Sequence, residues 1–70
     1  MFLTKDEIIE IFGSLRNCGL ELGKTRQAIY QAVNDGVSSE HLTDTILGFL
    51  MRNGRKAEIP SRFITDGYDG

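Results

Sequence analysis

The segment SLRNCGLELGKTRQAIYQAVN, residues 14–34, decides the fold of this 70-residue chain. Ser14 can cap a first helix, because its hydroxyl can accept a hydrogen bond from an amide of the first turn. Gly23 can end that helix, since glycine adopts the left-handed conformation without steric cost. Thr25 can cap a second helix in the same way as Ser14. The segment therefore predicts two short helices folded against each other across a glycine turn.

Each of these two helices has one apolar or small face. In the first helix it consists of Leu15, Cys18, Gly19 and Leu22, and in the second of Ile29, Ala32 and Val33. Gly19 is expected at the contact between the helices, where the lack of a side chain lets the second helix approach closely. This arrangement is typical of a helix-turn-helix.

Further helices are predicted on both sides of this segment. Thr4 and Glu7 form a capping box, so that helix 1 spans about residues 4–12. Ser38 or Ser39 can cap a helix 4 over about residues 39–52, and an arm, residues 55–70, follows it. Helix 4 carries a broad apolar stripe, which consists of Leu42, Ile46, Leu47, Phe49, Leu50 and Met51.

The predicted fold is mostly α: one helix-turn-helix DNA-binding domain, residues 1–70, of four to five short helices. Asn53-Gly54 leaves an alternative open, because this dipeptide is also typical of a two-residue hairpin turn. In that case three helices would be followed by a C-terminal β-hairpin, within residues 46–59. The helix is favoured, since the apolar residues at positions 46–51 do not alternate with polar ones.

Residues 12–33, FGSLRNCGLELGKTRQAIYQAV, resemble the corresponding stretch of the Cro family of phage and prophage repressors. The shared features, in order, are Phe12-Gly13, Gly19, Leu22-Gly23, Gln27-Ala28-Ile29 and Ala32-Val33. The resemblance implies a transcriptional repressor or regulator that binds a palindromic operator in double-stranded DNA as a homodimer, in the cytoplasm of a bacterial host cell. It also implies that the positions from Thr25 to Gln31 read the DNA.

The polar face of the second helix agrees with that role. Arginine matches the O6 and N7 edge of guanine, and glutamine matches the N6 and N7 edge of adenine. A small or hydroxyl side chain can meet a thymine methyl group or a phosphate. The predicted base-reading residues are Thr25, Arg26, Gln27, Ala28, Tyr30 and Gln31.

The net charge of −2 is unfavourable for a nucleic-acid-binding protein, but its distribution is uneven. Among consecutive segments of the chain, only residues 14–34 and 51–62 have a net positive charge, of +2 and +3. Cations neutralise phosphates and thereby provide affinity without sequence information. The predicted phosphate contacts are Arg16, Lys24, Arg55 and Lys56.

The stripe of helix 4 is wider than one neighbouring unit can cover, which predicts that a second copy of the chain buries part of it. The predicted dimer interface consists of Ile46, Phe49, Leu50 and Met51. The same stripe supports an alternative function, a small phage-type protein that binds and inhibits a host protein through helix 4. The acidic balance of the chain favours this alternative.

The sequence gives little support to other classes of function. One cysteine, Cys18, and one histidine, His41, cannot provide a tetrahedral zinc site. Gly23-Lys24-Thr25 lacks the earlier glycine and the preceding strand of a phosphate-binding loop. We therefore expect no enzyme, no catalytic residues, no metal, no cofactor and no small-molecule substrate. The apolar run at residues 46–51 is too short to span a membrane, and the lone cysteine indicates a reducing cytoplasm.

Overall fold

The computed structural model of the protein describes residues 1–64, and the predicted polar end of the arm, residues 65–70, lies outside the described residues. The four α-helices are α1 Lys5–Phe12, α2 Leu15–Leu22, α3 Arg26–Gln31 and α4 Glu40–Arg52. Two short strands, β1 Val33–Asn34 and β2 Val37–Ser38, lie between α3 and α4, and two 3-10 turns, η1 Lys56–Glu58 and η2 Ser61–Phe63, follow α4. The prediction of a mostly α fold is confirmed.

The start of each helix is fixed by a side chain close to it in the sequence. The Thr4 hydroxyl accepts a hydrogen bond from the amide of Glu7 at 3.2 Å, and the Glu7 carboxylate accepts one from the amide of Thr4 at 2.9 Å. Ser14, Thr25 and Ser39 each accept an amide hydrogen bond from the first turn of α2, α3 and α4. Such caps satisfy amides that have no partner within the helix. The predicted helix starts are confirmed.

The helix-turn-helix segment ends differently from the prediction, because α3 stops at Gln31 and a β-hairpin follows. Asp35 and Gly36 have φ angles of 54° and 77°. Positive φ at both central residues is typical of the type I′ turn, whose twist matches that of two paired antiparallel strands. The prediction that Val33 lies on the inward face of a helix is therefore corrected, since Val33 is the first residue of β1.

The alternative of a hairpin at Asn53-Gly54 is wrong. Residues 46–52 belong to α4, and Asn53 caps its C-terminal end, where its side-chain amide donates a hydrogen bond to the Phe49 carbonyl at 2.8 Å. Gly54 has a φ of 70°, which turns the chain out of the helix and into η1.

One apolar cluster joins all four helices. Its buried members are Leu3, Ile8, Phe12, Leu15, Cys18, Ile29, Leu42, Ile46, Leu50 and Ile59. A buried polar contact lies beside it, where the Thr43 hydroxyl oxygen accepts a hydrogen bond from the Leu3 amide at 3.1 Å and lies 2.6 Å from the Ser38 hydroxyl. This contact ties the N-terminal residues, the hairpin and α4 together.

The arm after α4 returns to α1. Ile59 is buried in the core and Phe63 is half-buried against it. The Arg62 guanidinium pairs with the Glu7 carboxylate and donates a hydrogen bond to the Phe2 carbonyl at 2.6 Å. Residues 55–64 are thus packed against the helical part of the protein.

Candidate nucleic-acid interface

Helices α2 and α3 meet at Gly19, as the sequence predicts. Gly19 is buried, and a β-carbon added to it would lie 3.0 Å from the Lys24 carbonyl oxygen and 3.3 Å from a side-chain carbon of Ile29. A β-carbon at this position would be closer to a backbone atom than ordinary van der Waals contact allows, so the backbone at Lys24 would have to shift. Gly23 has a φ of 74° and ends α2 in the left-handed conformation. The two helices therefore have the close contact and the glycine turn of a helix-turn-helix.

The predicted base-reading residues all lie on the exposed surface of α3 and its cap. These residues are Thr25, Arg26, Gln27, Ala28, Tyr30 and Gln31. Ile29, which has 0 % exposure, anchors the helix from the opposite side. The Arg26 guanidinium carbon lies 5.6 Å from the centre of the Tyr30 ring, and this ring is 51 % exposed. The ring supports the guanidinium by a cation–π contact and leaves its N–H groups free to donate.

The only carboxylate within residues 14–34 is neutralised by a residue far away in the sequence. Glu21 on α2 forms an ion pair with Arg55 at 2.8 Å. Within residues 1–64, Arg16, Lys24 and Arg26 form no ion pair with a carboxylate. The α2–α3 surface is therefore more positive than its sequence charge of +2 indicates.

Arg55, which the sequence predicts to contact a DNA phosphate, forms several contacts within the protein. Besides Glu21, it forms an ion pair with Glu58 at 2.7 Å, and it donates to the Ile11 carbonyl at 3.3 Å. Its guanidinium carbon lies 5.6 Å and 5.9 Å from the ring centres of Phe12 and Phe49. The hydrogen bonds to Glu58, the largest cause, and to Glu21 raise the pKa of Arg55 and keep it charged. Four hydrogen bonds from its guanidinium thus go to acceptors of the protein itself.

The other three predicted phosphate contacts are on the surface. Arg16, Lys24 and Lys56 are exposed, and none of them forms an ion pair in the part of the chain that the structure describes. Arg16 lies in the first turn of α2 and Lys24 in the turn that follows α2, whereas Lys56 lies in η1. Arg16 and Lys24 are thus on the same helix-turn-helix unit as the base-reading residues.

Two of the four residues of the predicted dimer interface are buried within a single copy of the protein, and the interface itself stays a prediction. Ile46 and Leu50 are 0 % exposed within one copy of the protein, and both belong to its core. Their side chains therefore cannot contact a second copy of the protein. Phe49 is half-buried under Arg55, and Met51 is 44 % exposed. Most of the broad stripe of α4 is therefore buried or half-buried within one copy of the protein, and Met51 is its exposed member.

A groove that the sequence analysis did not predict lies beside the exposed face of α3. It has a volume of about 520 Å³ and is bounded by residues from α1, the start of α2, α3 and the hairpin: Lys5, Ile9, Gly13, Ser14, Leu15, Arg16, Tyr30, Val33 and Gly36. The sequence analysis did not identify Lys5 as a surface cation near the groove beside α3. The only sequence signal is its position four residues before Ile9, which puts both on one face of α1.

The described residues contain no group of three ligand side chains placed to hold a metal ion, and no described helix is long and apolar enough to cross a membrane. Cys18 is buried, and burial raises the pKa of its thiol to about 11. A thiol with this pKa is protonated at neutral pH and is a poor nucleophile.

Comparison of the chain with known protein families, with curated proteins and with solved structures finds no match in any of the three.

Proposed function

We propose that this protein binds double-stranded DNA in a sequence-specific manner, with α3 in the major groove, and that it is a transcriptional regulator of the Cro type. The observation that carries the proposal is the composition of the exposed α3 face. Arginine, two glutamines and a tyrosine lie there together, and the one carboxylate of α2 and α3 is paired with Arg55. A surface of this kind attracts phosphates and offers hydrogen-bond donors to base edges.

The roles of the residues follow from their chemistry. Arg26 suits the O6 and N7 acceptors of guanine, and Gln27 and Gln31 suit the N6 and N7 edge of adenine. Arg16 and Lys24 neutralise backbone phosphates on either side of α3 and set its register without reading sequence. Lys56 is a further phosphate contact of the proposal, from η1.

The proposal includes a homodimer. A single α3 of six residues reaches few base pairs, and two copies related by a two-fold axis read two half-sites about one DNA turn, roughly 34 Å, apart. Because Ile46 and Leu50 are in the core, the dimer interface of this proposal consists of other, exposed residues. Such a two-fold symmetric dimer is expected to bind a palindromic DNA site.

The protein-binding alternative has less support than the DNA-binding proposal. It needs the apolar stripe of α4 on the surface, whereas Leu42, Ile46 and Leu50 are buried. The acidic net charge favoured this alternative, but Glu21 is the one carboxylate of α2 and α3, and it is paired with Arg55. No further observation favours this alternative.

Selection of bound sequences from random duplex DNA tests the class of function directly. Enrichment of a palindrome is expected, together with sedimentation of two protein copies per site. Affinity is expected to fall steeply with salt, because phosphate neutralisation releases counterions. Absence of any enriched sequence, or an affinity that does not depend on salt, would contradict the proposal.

Substitutions on the enriched site then separate the two kinds of contact. Arg26→Ala or Gln27→Ala is expected to lose about 1–3 kcal/mol of discrimination at one base pair of each half-site. Lys56→Ala is the matched control. It is expected to weaken binding to all sequences alike and to reduce the salt slope by about one unit. Equal losses on cognate and random DNA in all three variants would show that α3 does not read bases.

A further inference from the structure

The groove beside α3 is lined by cations and by apolar side chains. Lys5 and Arg16 belong to its lining, and neither forms an ion pair within residues 1–64. Its apolar members include Ile9, Leu15 and Val33, and Ile9 is 36 % exposed. Among the described residues that line the groove, none is an aspartate or a glutamate. The groove thus fits a ligand that combines negative charge with apolar groups.

Helix α1 separates its charges between two grooves. Lys5 and Ile9 are four positions apart, and both line the groove beside α3. Glu7 and Glu10 line a different groove, of about 340 Å³, together with Glu58 of η1. Two of the three carboxylates of α1 therefore lie at the other groove. An anion that enters the groove beside α3 meets the lysine of this helix.

The two cations are placed by elements that start close to them. The amide of Lys5 donates a hydrogen bond to the Gly36 carbonyl at 2.8 Å, and Thr4, the residue before it, pairs with Val37 of β2. This backbone pairing holds the start of α1 against the hairpin that follows α3. Arg16 lies in the first turn of α2, whose start is fixed by its cap. Two separate elements thus bring their cations to one groove.

A DNA backbone has the chemistry that this groove requires. It alternates phosphates with deoxyribose rings, so it presents negative charges and apolar C–H groups in turn. A helix in the major groove of DNA lies between two such backbones. Arg16 and Tyr30 belong both to the lining of the groove beside α3 and to the surface proposed to contact DNA. A backbone that passes α3 on this side therefore reaches the groove.

We propose that the groove beside α3 holds the sugar–phosphate backbone of DNA, with Lys5 and Arg16 on phosphates and the Ile9 side chain against a deoxyribose. Lys5 then extends the contact with DNA from the helix-turn-helix to α1, and it provides affinity without reading sequence. The inference rests on the proposed DNA binding. It adds the side of the protein along which one DNA strand runs.

Three variants of the full chain test the inference on the DNA site enriched by selection. Lys5→Gln removes a charge from the groove, and Lys5→Arg keeps it. Arg52→Gln is the matched control, because Arg52 is an exposed cation in the last turn of α4 and does not line the groove. Lys5→Gln is expected to weaken binding to cognate and random DNA alike and to reduce the salt slope by about one unit. Lys5→Arg and Arg52→Gln should keep the original slope.

The change in slope has a direct expression as a ratio of affinities. Between 50 and 200 mM salt, the affinity of Lys5→Gln should recover about three- to fourfold relative to that of the unchanged protein. The melting temperature of Lys5→Gln should equal that of the unchanged protein, because the side chain is exposed and the bond to Gly36 uses the backbone amide. A difference in affinity is then a difference in contact with DNA.

Ethylation interference identifies the phosphate that Lys5 contacts. Ethylation of that phosphate in each half-site should weaken binding of the unchanged protein. It should have no effect on binding of Lys5→Gln, because the contact is already lost in this variant.

Three outcomes would overturn the inference and leave the proposed function intact. They are equal affinities and salt slopes for Lys5→Gln and Arg52→Gln, an ethylation pattern of Lys5→Gln identical to that of the unchanged protein, and a loss confined to cognate DNA. The last would show that Lys5 reads a base, which a phosphate contact does not do. A full chain that binds no DNA would contradict the proposed function, and the inference would fail with it.

Discussion

At the scale of single residues, two glycines in helices have opposite environments. A β-carbon at Gly19 would lie 3.0 Å from a backbone carbonyl oxygen, whereas one at Gly48 would meet only the end of the Arg52 side chain, at 3.2 Å. Gly19→Ala is therefore expected to reduce the free energy of unfolding by about 1–3 kcal/mol, because the backbone at Lys24 must shift to relieve the overpacking. Gly48→Ala is expected to raise it by about 0.5–1 kcal/mol, since alanine favours the helix.

Urea unfolding of both variants measures the difference. The same chemical change has opposite signs at the two sites only if Gly19 is at the contact between the helices. A gain in stability for Gly19→Ala would show that the proposed packing of α2 on α3 is mistaken.

Arg55 and Lys56 are adjacent cations with different roles. Arg55 holds Glu21, Glu58 and the Ile11 carbonyl, while Lys56 has no ion pair within residues 1–64. Arg55→Gln is expected to lower the melting temperature, because it leaves two carboxylates and two aromatic rings without their partner. Lys56→Gln should leave the melting temperature unchanged. Thermal melting followed by circular dichroism checks this, and equal melting temperatures would refute the structural role of Arg55.

At the scale of elements, the hairpin depends on its two turn residues. Gly36 has a φ of 77° and open space around its α-carbon, so Gly36→Ala adds only backbone strain. A loss of about 1–2 kcal/mol is expected, which is the cost of the left-handed conformation for a residue with a β-carbon. Asp35→Asn should stay within about 0.5 kcal/mol, because asparagine tolerates positive φ as well as aspartate does. Urea unfolding distinguishes the two, and equal losses would mean that the turn is not of type I′.

At the scale of the whole molecule, an ion pair between the arm and α1 and another within the arm make stability depend on pH. Arg62 lowers the pKa of Glu7, and Arg55 lowers the pKa of Glu58, in each case chiefly through a hydrogen bond to the carboxylate. Both groups therefore contribute to stability fully above their ordinary pKa of 4.5, and the contribution is lost as the pH falls through their lowered pKa values. The protein should lose stability on acidification from pH 7 to below about 4.

Glu7→Gln tests this dependence, because glutamine keeps the acceptor of the capping box but loses the charge. Unfolding of this variant is expected to change less with pH than that of the unchanged protein. Glu10→Gln, on the same helix and outside any ion pair of the described residues, should keep the original dependence. An identical pH dependence in all three proteins would show that the pair of Glu7 with Arg62 contributes nothing to folding.

The sequence by itself determined where the helices begin and which face of α3 is exposed. Thr4, Ser14 and Thr25 each cap a helix through an amide three positions away, and hydrogen bonds over so short a distance depend on local sequence alone. The close contact at Gly19 was predictable for a similar reason, since the spacing of small and apolar residues sets the inward face. The hairpin had a local signal as well, Asp35-Gly36 between two valines, but the apolar period of α3 extends through Val33 and favoured a longer helix.

Only the tertiary structure decided which charges and apolar side chains remain on the surface. Glu21 and Arg55 are 34 positions apart, and no local pattern pairs them. Ile46 and Leu50 belong to a stripe that could equally have faced a second copy, until the arm and the other helices covered it. The physical reason is that an amphipathic pattern predicts which face of a helix is buried, but it does not predict which other element covers that face. The partner of each face, and the ion pairs that result, depend on how all the elements pack together.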